Sequence, residues 1–181
     1  MHGPSISDIW ITTTENADKY VANIVPAENS MYLITSEGTQ IKAENGAKIE
    51  QYAFYGKKGN KLLYTIKKNG KERIVIDGKS GPEFDVISSI ATSSKENSYA
   101  YYGTSGASQV LIVNGKEVAK NIDSTSSLYF NQYPKQYLIA TFKTGQTWNV
   151  YFKNKLFTNL QSSEVYFSIM VNDAGNLWSA F

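Results

Sequence analysis

The stretch RIVIDGKSGPEFDVI, Arg73–Ile87, decides how the chain is read. Its apolar run Arg73–Ile76 meets Asp77-Gly78, a dipeptide favoured in type I′ hairpins because both central residues need a positive φ. A second short extended run follows. The same pattern recurs on either side. Asn45-Gly46 lies 32 residues upstream and Asn114-Gly115 lies 37 residues downstream, with the variant Asn154-Lys155 40 residues further on. A period of this size, with a β-hairpin in each unit, predicts an all-β propeller.

A second marker repeats independently. An apolar strand, a polar turn and another apolar strand start near Tyr20, Tyr52, Ile90, Tyr129 and Tyr166, at intervals of 32, 38, 39 and 37 residues. Five blades of four antiparallel strands are therefore expected, in one domain covering residues 1–181, with residues 1–7 a disordered tail. Arg73–Ile76, Gln109–Val113 and Asn149–Phe152 are read as third strands. The last copy lacks partners, and its open edge would invite pairing. The β-branched and aromatic run Asp8–Thr14 is expected to complete it and close the ring. The alternative is a segment of a larger propeller.

Composition bounds the function. With 181 residues the chain can bury a single sizeable core, and 24 aromatics, 13 of them Tyr, suit half-buried strands. A net charge of +2 gives no general attraction to nucleic acid or membrane surfaces. There is no Cys, so neither a disulfide framework nor thiolate chemistry is available. No apolar span is long enough to cross a bilayer as a helix. Met1–Ser7 has no apolar core of the kind a signal peptide carries. The single His, His2, leaves a Ser-His-Asp triad, a Cys-His pair and a typical zinc site without their parts. No cofactor is implied.

A carboxylate pair of the glycosidase kind needs Asp or Glu on the innermost strands, about 5–10 Å apart. Those strands read VANIV, YAFYG, SSIATS, LYFNQ and YFSIMV, without an acid among them. Only Asp85, Asp123 and Glu164, just before inner strands, stand where a channel mouth is expected. The competing reading is that they satisfy turn backbone groups, as Asp commonly does. The basic run Lys57, Lys58, Lys61, Lys67, Lys68, Lys71 and Arg73 is divided by the repeat between opposite ends of one blade, which favours solvated loops over a polyanion site. Tyr129 and Tyr166 are candidate ring-stacking residues at the channel mouth, with core packing as the alternative. The stretch Ser80–Asp85, including Glu83, Phe84 and Asp85, is read as a loop on the binding end of the ring.

The segment Arg73–Ile87 resembles the WD40-like repeats of bacterial propellers, the type seen in TolB and in dipeptidyl-peptidase propellers. The first turns of the units, PAEN, GKKGN, SKEN, YPKQ and NDAGN, are degenerate forms of that family's S-P-D-G-K turn. The resemblance implies a rigid interaction module in a periplasmic or extracellular setting. It carries no catalytic residues with it. The expected function is a non-catalytic, monomeric module that binds a protein partner through one end of the ring. A lectin-like glycan-binding propeller is the alternative, and a five-bladed glycoside hydrolase is the third reading.

Overall fold

The fold is that of a computed structural model, which describes residues 6–13, 19–26, 32–59, 61–131, 136–160, 168–171 and 177–180. Four four-stranded antiparallel sheets follow one another along the chain, each in simple strand order, and a two-stranded pair comes last. The first sheet holds β1 (Ile6–Thr13), β2 (Tyr20–Pro26), β3 (Tyr32–Thr35) and β4 (Gln40–Lys42). The second holds β5 (Ala47–Tyr55), β6 (Lys61–Lys68), β7 (Lys71–Ile76) and β8 (Lys79–Phe84). The third holds β9 (Val86–Thr92), β10 (Tyr99–Ser105), β11 (Ser108–Val113) and β12 (Lys116–Ile122). The fourth holds β13 (Ser124–Phe130), β14 (Leu138–Thr144), β15 (Thr147–Phe152) and β16 (Lys155–Leu160). The last pair is β17 (Ser168–Val171) with β18 (Leu177–Ala180). Among the described residues the only helical turn is Lys57–Gly59, and no helix is long and apolar enough to cross a membrane.

The first four sheets stack face to face in chain order, and strand alternation supplies a core layer between each and the next. In β10, Tyr101 packs toward the second sheet with Tyr55, Ile74 and Phe84, whereas Ala100 and Tyr102 pack toward the fourth with Leu138, Ala140 and Phe142. In β11, Ile112 faces one way and Leu111 and Val113 the other. Both tyrosines are buried to about 1% exposure or less. Sealing a side chain of this class from water stabilises the fold by roughly 1.5–3 kcal/mol. A further layer joins Val21 and Leu33 of the first sheet to Ile49 of the second. The first strands β5, β9 and β13 are neighbours in sequence order.

The turn reading holds in the second and third sheets. Asp77-Gly78 (φ 49° and 76°) joins β7 to β8, and Asn114-Gly115 (φ 50° and 78°) joins β11 to β12. Arg73–Ile76, Gln109–Val113 and Asn149–Phe152 lie in third strands. In the fourth sheet the turn sits one residue earlier than expected: Lys153 and Asn154 are its central pair, at φ 48° and 60°. A left-handed lysine costs about 1–2 kcal/mol. Its amine lies 4.9 Å from the Tyr137 ring centroid and 5.3 Å from that of Phe152, which offsets part of that cost. Asn69-Gly70, the same dipeptide in the same left-handed conformation (φ 52° and 77°), closes β6 onto β7 and adds a hairpin turn to those expected.

The first unit departs from the expectation. Asn45-Gly46 closes no hairpin; it carries the chain from β4 into β5, and only Gly46 has a positive φ. Tyr20 accordingly opens the second strand of its sheet, while Tyr52, Ile90 and Tyr129 lie in first strands. The N-terminal run does not complete the last sheet. β1 pairs with β2 from Thr13↔Tyr20 to Ile6↔Pro26. Six residues separate those strands, so closing that loop loses far less chain entropy than pairing with a strand at the other end of the chain.

Candidate functional site

Single residues join the outer strand of one sheet to the first strand of the next: Asp85 between β8 and β9, and Asp123 between β12 and β13. Ser80–Phe84 is thus not a loop but most of β8. Pro82 is accommodated there because β8 is an edge strand whose register with β7 shifts between Arg73 and Val75.

The two aspartates repeat one geometry. The Asp85 N–H donates to the Thr104 carbonyl at 2.7 Å, and Asp85 Oδ2 accepts the Gly106 N–H at 2.6 Å. The Asp123 N–H donates to the Lys143 carbonyl at 2.9 Å, and Asp123 Oδ2 accepts the Gly145 N–H at 2.5 Å. Gly106 and Gly145 open the two-residue turns β10–β11 and β14–β15. Each junction aspartate therefore fastens its strand to the next hairpin, which is the backbone-satisfying role weighed against catalysis. Lys71 Nζ also meets Asp85 Oδ1 at 2.5 Å. That bond, with the Gly106 N–H second, holds the Asp85 carboxyl below the usual range.

The remaining sequence candidates scatter. Glu83 is an exposed acid paired to Arg73 at 3.1 Å, and Arg73 also pairs with Glu44. Phe84 is core, edge-on to Tyr101 and close against Gly103, where an added Cβ would lie 2.6 Å from the ring. Tyr129 stands on β13 opposite Ile139, 39% exposed, with burial raising its phenol pKa. Glu164 and Tyr166 lie outside the described residues. Five cations of the basic run have acidic partners: Lys61–Asp77, Lys67–Glu72, Lys68–Glu44, Lys71–Asp85 and Arg73 with Glu44 and Glu83. Glu72 is nearly buried and also accepts the Ile87 N–H at 2.8 Å, so it ties the second sheet to the third.

An antiparallel meander puts the second turn of each sheet and its exit strand end at one pole. First loops and third turns share the other. Asp85, Asp123, Gly106 and Gly145 occupy the former. At the latter lies a cleft of about 700 Å³ spanning the third and fourth sheets, with Lys57 of the second sheet's β5–β6 loop also on its lining. One wall is the β9–β10 loop with Glu96, Asn97 and Ser98; the other carries Gln136 and Tyr137, with the turn residues Asn114 and Asn154 between. Gln136 locks the walls together. Its Oε1 accepts from Ser93 Oγ at 2.5 Å and from the Lys95 N–H at 3.1 Å, and its Nε2 donates to Ser94 Oγ at 3.3 Å. Asn114 Oδ1 accepts from Ser98 Oγ and from the Tyr99 N–H.

This cleft was missed in the sequence, where Asn97, Asn114 and Asn154 read only as turn residues. A signal did exist. Asp77, Asn114 and Lys153 occupy the same turn position in successive repeats, an acid, an amide and a cation. Each faces the start of its own sheet's second strand: Asp77 meets Lys61, Asn114 meets Tyr99, and Lys153 meets Tyr137, which precedes β14. Among the described residues no group of three or more His, Cys, Asp or Glu is arranged to hold a metal ion. No family model matches the chain, and neither a curated protein nor a solved structure matches it.

Proposed function

We propose that the chain is a non-catalytic β-propeller module of five radial sheets that docks a protein partner through the pole holding Asp85 and Asp123. Support for the ring comes from successive sheets stacked through shared cores and from neighbouring first strands. Closure then falls between the pair β17–β18 and the first sheet, with β1 already committed to β2.

The observation that carries the docking reading is the repeated aspartate clamp. Two-residue turns pinned through both the backbone and the carboxylate of the junction residue present a pole that is ordered before any partner arrives. Little loop entropy is then lost on association. Ala107 and Gln146, exposed at the tips of those turns, make no part of the clamp. The test is affinity capture from source-cell lysate with the intact chain as bait, compared with Ala107→Arg and Gln146→Arg. A protein retained by the native chain and lost from both variants supports the reading. Capture unaffected by both moves the interface elsewhere.

A further inference from the structure

We infer that the cleft at the opposite pole, between the third and fourth sheets, is a binding site for a neutral saccharide. This goes beyond the protein-docking surface and does not depend on it. A volume of about 700 Å³ lies within the roughly 300–1,000 Å³ range of small-ligand sites. The chemistry of its walls then selects the ligand.

A sugar hydroxyl both donates and accepts, so its site must offer both. Asn154 Oδ1 accepts from Tyr151 OH at 3.4 Å, and Asn114 Oδ1 is engaged by Ser98 and Tyr99. Among the described residues the Nδ2 groups of Asn114 and Asn154 donate to nothing, which leaves two amide donors at the cleft. Glu96 supplies an acceptor without an ion pair among the described residues, and Lys57 a donor in the same condition. Phe130 and Tyr137 add apolar surface for the C–H faces of a pyranose. Lys153 is held over Tyr137 and Phe152, so its ammonium is positioned before binding. Lys57 and Lys153 set two cations against the one carboxylate of Glu96, but Lys153 is already held over two rings, and an anionic ligand would meet Glu96. Gln136 has already joined the two walls, so a ligand orders little on entry.

The experiment titrates the intact chain with maltotriose, cellotriose and triacetylchitotriose, followed by calorimetry and by saturation-transfer NMR. Galacturonic acid trimer and the Ala107→Arg variant serve as controls. Asn154→Gly removes the amide at a φ of 60° that glycine adopts freely, so the turn survives. Asn97→Ala alters the exposed wall. The expected result is binding of at least one neutral trisaccharide, weakened about 3–10-fold by each variant and unchanged by Ala107→Arg. No binding by the folded native chain overturns the inference. So does binding that both cleft variants leave intact, or a preference for the acidic trimer. None of these outcomes bears on partner capture at the other pole.

Discussion

Asp85 Oδ2 accepts the Gly106 N–H at 2.6 Å, and the pair Asp123 and Gly145 repeats that bond one unit later. The carboxylate stands at a one-residue junction while its donor opens a hairpin 21 residues downstream. Asp123→Ala should destabilise the fold by about 0.5–1.5 kcal/mol, measured by urea unfolding. Asp123→Asn keeps an acceptor oxygen and should recover most of that loss. An Ala variant as stable as the native chain would show that the bond contributes nothing.

Acid should act through the carboxylates that a neighbouring cation holds below their ordinary range. Lys71 lowers the Asp85 pKa, Lys68 with Arg73 lowers that of Glu44, and Lys19 that of Glu37. A depressed folded-state pKa gives stability present above the unfolded value, near 4, and lost as pH falls through the folded one. The melting temperature should drop below about pH 4, less steeply in Asp85→Asn.

Alkali acts on the tyrosines. Burial first, and for Tyr55 the Asp77 carboxylate second, push Tyr55 and Tyr101 up to about 12. Raised pKa values give stability intact below the unfolded value, near 10, and lost as pH rises through the folded one. Unfolding free energy should fall between about pH 10 and 12, with ionisation seen by ultraviolet absorbance. Tyr101→Phe should flatten that decline.

Gly103 has no room for a methyl group. A Cβ there lies 2.6 Å from the Phe84 ring, which packs against Tyr101. Gly103→Ala should cost about 1–3 kcal/mol. Phe84→Leu should cost less in the Gly103→Ala background than in the native one, so a double-mutant cycle reads their coupling directly. Additive losses would place the strain elsewhere.

Glu72 joins two sheets through the Ile87 N–H and also pairs with Lys67. Glu72→Ala strands that N–H and should cost about 1.5–3 kcal/mol. Glu72→Gln keeps an acceptor and should lose less. Hydrogen exchange at the Ile87 amide separates the two, because only the Ala variant should lose protection there.

How much of this was legible in the sequence depended on the range of the interaction. Asp77-Gly78 and Asn114-Gly115 announce their hairpins because a positive φ at two adjacent positions is a local torsional demand that few residue pairs meet. The same demand sits at Asn69-Gly70, so that hairpin was readable too. Asn45-Gly46 shows the limit. The dipeptide signals a turn, but whether the turn closes a hairpin or links two sheets depends on what the next strand pairs with.

The amino-acid sequence alone determined an all-β chain with a repeat near 38 residues and acids at Asp85 and Asp123 where one unit gives way to the next, because strand alternation and turn torsions act over two to four residues. Tertiary structure decided the rest. It placed β1 beside β2, where a six-residue connection closes at small entropic cost. It put Phe84 into the core against Gly103 and turned Asp85 onto Gly106. It also gathered Asn97, Asn114 and Asn154 around one cleft, though 57 residues separate the first from the last. Each of these depends on which surfaces of distant strands are buried together, and burial is a property of the packed sheets that no short window of sequence contains.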